Sequence, residues 1–326
     1  MLTLNKIRKF ILALIAMLFL FGELFTLSGQ ETGSFTDSRD GITYYWVKIG
    51  DQTWMSENLA YLPQVDTVTD GSEDIPEGKY YYVYDFAPQP GNDETTQVTN
   101  AKATVNYQTY GVLYNWFAAM ENDNSSSTNP SRVQGVCPAG WHMASIDEWW
   151  ELDNYLEING YGYEGGGDDI GKATAFTSGW TIDGTPGNVG NDQASNSSSG
   201  FSALPGGLRG NSGTFETIGA NGQWWSSTDY SSTMDAWHRF LRYNASTFDR
   251  FGANKEMSVS IRCIKDIDYL SSLAISGEAG FDNIPELSGD TVQKQSISKI
   301  IVYGRSLSIV FRNYNSRLNE VLLLHR

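Results

Sequence analysis

Apolar and polar residues alternate in several short segments of the chain, and this period of two residues predicts β-strands. The clearest example is Thr43–Ile49, a run rich in β-branched and aromatic residues. Residues 50–52 supply turn chemistry and residues 53–55 return to the strand pattern, so we predict a β-hairpin. Further strands are predicted at residues 223–228, 237–243 and 259–264.

A spacing of three or four residues predicts a first helix, whose apolar face holds Val112, Leu113, Trp116, Phe117 and Met120. The polar segments around it are predicted to be irregular. Residues 85–107 contain two prolines and are predicted to be an excursion from the core. Residues 122–129 are predicted to be a surface loop, and residues 165–222, rich in Gly, Ser, Asn and Asp, are predicted to be long loops.

A second helix has the strongest local signal. Ser145 and Glu148 form a capping box, in which the Ser145 hydroxyl accepts from the Glu148 amide and the Glu148 carboxylate accepts from the Ser145 amide. Residues 159–160 are Asn-Gly, which supplies a stop in the left-handed conformation. We therefore predict a helix over Ile146–Ile158 that packs on the core through one residue of the pair Trp149-Trp150.

Composition divides the chain into a main domain and a tail. All ten Trp lie between Trp46 and Trp237, in a segment dense in aromatic residues and Gly. Such a segment is typical of a loop-rich β domain with a bulky core. Residues 267–296 are predicted to be a linker, and residues 297–326 a small β tail. The predicted fold class is α+β, with short strands, two helices and long loops.

The first 29 residues are typical of a secretory signal peptide. Three positive residues, Lys6, Arg8 and Lys9, precede an apolar run over residues 10–21. This run is shorter than the roughly 20 residues that span a bilayer, although a retained N-terminal anchor is the alternative. Nothing downstream is apolar for long enough to cross a membrane. We predict export, with no membrane span after cleavage.

The net charge argues against a nucleic-acid partner. The chain carries −16, and residues 1–29 contribute +2 of this, so the remainder carries −18. A charge of this sign repels a phosphate backbone. It also keeps exported proteins soluble, and this second interpretation implies no partner.

The chain has two cysteines, Cys137 and Cys263. Export permits a disulfide, and two cysteines allow one intramolecular pairing. On the chain-entropy model, a bond between them would stabilise the folded protein by about 5 kcal/mol. Two free, buried thiols are the alternative.

Six motifs, in order along the chain, resemble those of a known family. They are VKIGDQTWMSENL at 47–59, YGVLYNW at 110–116, VCPAGWHMAS at 136–145, GFSALPGG at 200–207, WSST at 225–228 and SVSIRCIKD at 258–266. Over residues 40–266 the chain resembles the Fibrobacter succinogenes major paralogous domain family. It departs from the family at residues 143–144, where members often carry Leu-Pro.

The resemblance implies a C-type lectin-like fold, similar also to the formylglycine-generating enzyme. It implies an exported or surface-attached protein of a family with no assigned activity. It also implies that Cys137 and Cys263 form a disulfide. In the tail, residues 300–303, 307–310 and 321–324 resemble the short strands of a type IX secretion sorting domain, whereas an unrelated β tail is the alternative. A sorting domain would send the protein to the surface, or outside, of a Gram-negative bacterium.

Enzyme activity is not expected. A thiol tied in a disulfide is neither a nucleophile nor a metal ligand, so the copper chemistry of formylglycine-generating enzymes lacks its two cysteines. Of the three histidines, His142 is expected to bond a backbone carbonyl and His238 to lie in a strand. No serine occupies a G-x-S-x-G motif. Similarity of fold by itself does not carry function.

Two kinds of binding residue are candidates. Calcium would need loop oxygens, which Asp168, Asp169 and Asp192 offer, although these are equally typical of solvated turns. Sugars stack on exposed aromatic rings, and adjacent strand residues point to opposite faces. Trp224, Trp225 and Tyr81 are therefore candidates for a binding platform, with burial in the core as the alternative.

These observations predict an exported, non-enzymatic interaction protein that binds a glycan or another envelope component, without an obligatory cofactor. A structural surface scaffold without a small ligand is one alternative. A degenerate enzyme related to the formylglycine-generating enzyme is the other.

Overall fold

The computed structural model describes residues 30–71, 78–230, 234–266, 295–303, 306–313 and 320–325. The predicted signal peptide and all but the last two residues of the predicted linker lie outside this part of the chain. The chain divides into two compact units between residues 267 and 268. Within the described residues, no helix combines the length and apolar character needed to cross a bilayer.

The described strands of the first unit are short and pair antiparallel. In chain order they are β1 Thr32–Thr36, β2 Thr43–Ile49, β3 Gln52–Met55, β4 Tyr81–Tyr82, β5 Leu113–Asn115, β6 Trp141–Met143, β7 Leu208–Gly210, β8 Thr214–Glu216, β9 Asn221–Asp229, β10 Asp235–Arg242, β11 Phe248–Asn254, β12 Ser258–Val259 and β13 Cys263–Lys265. They form three sheets with the spatial orders β1-β2-β3-β13-β6, β11-β10-β9 and β4-β5-β12-β7-β8.

The predicted hairpin is confirmed as strands β2 and β3. Ile49 pairs with Gln52, so the turn contains only two residues. The first of them, Gly50, has φ +62°, a conformation that residues with a Cβ rarely adopt. The register places Val47 opposite Trp54, and both side chains are buried. The hairpin therefore presents one face to the core.

The described helices are α1 Glu94–Lys102, α2 Val105–Tyr110, α3 Trp116–Met120, α4 Ile146–Ile158 and α5 Gly171–Thr174. Helix α4 has the predicted bounds, and both hydrogen bonds of its capping box are present. Of the two Trp on this helix, Trp149 is buried and Trp150 is 56% exposed. Gly160 has φ +78° just after the helix, as the predicted stop requires.

Two predictions about helices are wrong. The predicted excursion over residues 85–107 contains α1 and the start of α2, so the described unit has more than two helices. Neither helix has an apolar stripe by which the sequence would predict it. The side chain of Asp93 caps α1, and the side chain of Thr104 caps α2. The predicted helical face from Val112 to Met120 is divided between strand β5 and the short helix α3. Period alone does not separate helix from strand where residues are buried on all sides.

The strands predicted over residues 223–228, 237–243 and 259–264 correspond to β9, β10 and the pair β12 and β13. Strands β1, β6 and β11 were not predicted, and neither were β7 and β8, which lie in residues predicted to be loops. Residues 165–222, predicted to be long loops, contain only short elements apart from the first two residues of β9. The mixture of helices and antiparallel sheets makes the described unit an α+β fold.

Aromatic side chains form much of the core. Trp54 and Trp149 lie 4.4 Å apart between ring centroids, and both contact Phe201. Trp224 and Phe248 complete this group through edge contacts at 5.9 Å. The core thus joins the hairpin, helix α4 and the β9–β11 sheet, and it positions the loops that surround it.

The second unit contains strands β14 Gln295–Tyr303, β15 Ser306–Asn313 and β16 Glu320–His325. They form one antiparallel sheet in the order β14-β15-β16. The three tail segments predicted to be strands lie within them.

Candidate functional site

A disulfide joins Cys137 and Cys263, whose Cα atoms are 6.0 Å apart. Cys263 pairs with Met143 across strands β13 and β6, so the bond reinforces contacts that the sheet already makes. The disulfide implied by the family resemblance is confirmed. Both cysteines of the chain are used in it, so neither is a free thiol.

His142 does not bond a backbone carbonyl, and that prediction is wrong. Its Nε2 lies 2.7 Å from Glu148 Oε1, and its Nδ1 lies 2.7 Å from Asp266 Oδ1. The side chains of His142 and Glu148 are buried. Burial by itself lowers the pKa of His142, but the two carboxylates outweigh it and raise the pKa above its ordinary value of 6.5. Because each ring nitrogen contacts a carboxylate, His142 connects Glu148 of helix α4 to Asp266 at the end of the domain.

Replacing His142 with Gln should reveal this ion pairing as a dependence of stability on pH. A histidine whose folded pKa is raised stabilises the protein fully below the unfolded pKa of about 6.5 and loses this contribution as pH rises through the folded pKa. We therefore expect the stability difference between wild type and His142→Gln to shrink above pH 6.5. Urea unfolding at several pH values between 6 and 9 measures it.

His238→Gln is the matched control. Burial lowers the pKa of His238 to about 4, and its Nδ1 lies 3.0 Å from the carbonyl oxygen of Phe251. Its contribution to stability should therefore stay constant between pH 7 and 9. If the stability difference between wild type and His142→Gln is also constant between pH 7 and 9, His142 is not ionised in the folded protein.

Trp224 and Trp225 do not form an exposed platform, and this part of the prediction is wrong. Both rings are buried, with 0% and 1% of their surface exposed. The Trp224 indole donates to Asn58 Oδ1 at 2.9 Å, and the Trp225 indole donates to the Tyr114 carbonyl at 2.9 Å. Adjacent residues of β9 do point to opposite faces of the strand, but other elements cover both faces.

The predicted calcium candidates are not brought together. Asp168 and Asp192 are exposed and Asp169 is half-buried. The Lys172 ammonium donates to the carbonyl oxygens of Asn191 and Asp192, so a cation of the chain itself already occupies these oxygens. Among the described residues, no group of three or more His, Cys, Asp or Glu is placed to hold a metal ion.

Tyr81 is the predicted binding residue that reaches a cavity. The cavity has a volume of about 450 Å³. The residues that line it come from four separate segments and are Arg39, Tyr61, Pro63, Gln64, Lys79, Tyr81 and Glu121. We call it the Tyr81 cavity. The Tyr81 ring itself is buried, 5.7 Å from the ring of Tyr114, so its hydroxyl is the polar part that it offers.

Glu121 is the centre of the polar contacts in the Tyr81 cavity. The Tyr81 hydroxyl donates to its Oε1 at 2.6 Å, and the Lys79 ammonium lies 2.6 Å from its Oε2. Glu121 ends helix α3 with φ +51°, in the left-handed region that side chains with a Cβ seldom adopt. Strained positions of this kind cluster at functional sites. Burial and Glu121 both raise the pKa of Tyr81, so its hydroxyl remains a neutral donor.

Arg39 is the second cation that lines the Tyr81 cavity. Its guanidinium lies 3.9 Å from the ring centroid of Tyr61. It also contacts both carboxylate oxygens of Asp37 and donates to the Val136 carbonyl at 2.8 Å. These bonds use three of its five N–H groups. Two donors therefore have no partner among the described residues, and the Arg39 side chain is 29% exposed.

The model of the Fibrobacter succinogenes major domain matches residues 47–265 of the chain. The chain belongs to this family. The match confirms the resemblance carried by the six motifs. Comparisons with curated proteins and with solved structures found no match.

The Fibrobacter succinogenes major domain contains most of the Tyr81 cavity, whereas Arg39 lies before the matched residues. Only Tyr81 was a candidate from the sequence. Lys79, Tyr61 and Glu121 were missed because none of them lies in a motif. The nearest sequence signal was Glu121 itself, an acidic residue that directly follows a run of apolar helix residues.

Proposed function

We propose that this chain is an exported or cell-surface interaction protein, not an enzyme, and that it binds a saccharide in the Tyr81 cavity. The observation that carries the proposal is the Glu121 carboxylate, which binds the Tyr81 hydroxyl and the Lys79 ammonium inside the cavity. An acceptor thus lies between donors. Saccharide hydroxyls, which donate and accept at the same atom, suit such an arrangement.

The charge of the cavity also favours a neutral polar ligand. Arg39 is paired with Asp37, and Lys79 is paired with Glu121. Each cation therefore has its own carboxylate, and the cavity holds no excess positive charge for an anionic ligand. The Tyr61 ring and Pro63 supply apolar surface for the C–H groups of a sugar ring. The volume of about 450 Å³ lies in the usual range of small-molecule sites.

Two observations support a non-enzymatic role. The cysteines form a disulfide, which removes both thiols from nucleophilic or metal chemistry. His142 bonds carboxylates through both ring nitrogens, so it is not placed to activate a hydroxyl. Export, in our proposal to the surface of a Gram-negative bacterium, is supported by the pattern of residues 1–29. The disulfide fits the same location, because such bonds persist in oxidising compartments.

A C-type lectin-like fold is part of the proposal. It is supported by the family membership and by the α+β unit of short antiparallel strands and long loops that the disulfide closes. The calcium site of lectins is not included, because Lys172 lies at the loop carbonyls where calcium was expected.

A glycan array carrying cell-wall and envelope saccharides, followed by calorimetry on each hit, tests the proposal. We expect Lys79→Ala and Tyr81→Phe each to weaken binding about tenfold, because each removes a group that holds the Glu121 carboxylate in place in the cavity. Lys79 is a surface side chain, 29% exposed, so its loss should leave the fold unchanged.

Lys48→Ala is the control, since Lys48 also forms an ion pair but lies outside the cavity. It should bind with wild-type affinity. An array without a hit would contradict the proposal and favour a structural scaffold. A hit whose affinity is unchanged in both cavity variants would place saccharide binding elsewhere on the protein.

A further inference from the structure

A second cavity, of about 360 Å³, is lined in part by the residues that directly follow Glu121. Its lining residues are Trp116, Phe117, Met120, Asn122, Asp123, Asn124, Ser125, Asp229 and Lys255. We propose that this Trp116 cavity is a second saccharide subsite, so that the domain binds an oligosaccharide chain rather than a single sugar. This inference rests on the proposed function of the Tyr81 cavity.

The floor of the Trp116 cavity is fixed by a buried cation. The Lys255 ammonium lies 4.1 Å from the ring centroid of Trp116 and 2.5 Å from Asp229 Oδ1. The Lys255 side chain is only 7% exposed, whereas Asp229 is 44% exposed. The ion pair with Lys255 thus holds the Asp229 carboxylate in place, and the exposed part of this side chain remains accessible to a ligand. The Lys255 ammonium already neutralises the Asp229 carboxylate, so a metal ion is not the expected ligand of this cavity.

The rim carries two side-chain amides that have no hydrogen-bond partner in the described part of the chain. The side chains of Asn122 and Asn124 are exposed and make no hydrogen bond to any described residue. The loop that carries them is nevertheless held in place, since Asp123 accepts from the Gly135 amide at 2.9 Å and Ser125 accepts from the Asp229 amide at 2.8 Å. A fixed loop loses little conformational entropy when a ligand binds to it.

This set of groups suits hydroxyls. Each free amide offers both a donor and an acceptor, and the Asp229 carboxylate offers acceptors. Two carboxylates and one ammonium line the Trp116 cavity, so anionic ligands are disfavoured. Phe117, which is half-buried, supplies an aromatic surface beside these polar groups.

The two cavities share one turn of backbone. Glu121 lines the first and Asn122, the next residue, lines the second. Both are in the left-handed region, with φ +51° and +75°. Consecutive residues in this region without glycine are costly, and such strain is retained where function needs the geometry. A ligand made of linked sugar units can therefore contact both cavities across this turn.

Calorimetry with β-1,4-linked oligomers of glucose, xylose and N-acetylglucosamine, one to six units long, tests the inference on the purified protein. We expect affinity to rise about tenfold from the shortest oligomer that binds to the longest. The double variant Asn122→Gly/Asn124→Ala should bind the shortest oligomer as wild type does but lose the gain with length. Glycine at 122 keeps the left-handed backbone while it removes the amide.

Asn92→Ala/Asn100→Ala is the matched control, because both residues are exposed and lie outside the two cavities. It should retain the full gain with length. Affinity that does not depend on length, or a gain that survives Asn122→Gly/Asn124→Ala, would overturn the second subsite and leave the Tyr81 cavity standing. Wild-type protein that binds none of the oligomers, and no saccharide on the array, would overturn both.

Discussion

Replacing both Cys137 and Cys263 with serine should lower the free energy of unfolding by about 5 kcal/mol. The bond joins residues 126 positions apart, and opening so long a loop restores much conformational entropy to the unfolded chain. Native domains are stable by only about 5–15 kcal/mol, so the variant should be marginally stable at 37 °C. Urea unfolding followed by tryptophan fluorescence measures the change.

Reduction of the wild-type protein provides the control for the serine substitutions. A reducing agent should lower the stability of wild type to that of the double variant and leave the double variant unchanged. If the two proteins unfold at the same urea concentration without a reducing agent, the disulfide contributes no stability and the entropic argument is wrong.

Arg262→Ala should destabilise the protein by about 4 kcal/mol. The Arg262 side chain is 1% exposed, and burial lowers the pKa of the guanidinium to about 9. No carboxylate of the described residues forms an ion pair with it. Instead it donates to four oxygens, and these belong to Met55, Asn58, Phe201 and Ser202. Its removal takes this donor from the carbonyls of Met55, Phe201 and Ser202, at a cost of about 1–3 kcal/mol each before relaxation, whereas Asn58 Oδ1 still accepts from the Trp224 indole.

Arg262→Met separates hydrogen bonding from volume, because methionine fills much of the space without donating. We expect it to be destabilised almost as much as Arg262→Ala. Arg250→Ala is the matched control, since Arg250 is exposed on strand β11, and it should change stability by less than about 0.5 kcal/mol. Wild-type stability for Arg262→Met in urea unfolding would show that the four acceptors do not need this donor.

The local elements of this protein follow from its sequence. The hairpin of β2 and β3 depends on a two-residue turn that Gly50 permits, and helix α4 depends on the Ser145–Glu148 capping box. Both signals lie within a few residues, so contacts with the rest of the fold do not override them. The six ordered motifs identify the family for the same reason, because each is a contiguous stretch of sequence.

The candidate site is predictable only in part. Tyr81 was found through its aromatic character, but the sequence also offered Trp224 and Trp225, which proved to be core residues. Alternation along a strand shows that neighbouring side chains point to opposite faces. It does not show which face another element covers, and this fact decides whether an aromatic ring can contact a ligand.

Sequence by itself therefore determined the family, the hairpin, the capped helix and the identity of the two residues available for a disulfide. Tertiary structure alone decided that the Tyr81 hydroxyl and the Lys79 ammonium meet Glu121 in one cavity, which Arg39 also lines. Glu121 is 40 residues from Tyr81 and 42 from Lys79. Such groups come together only when the chain closes long loops, and no local pattern records which loops close.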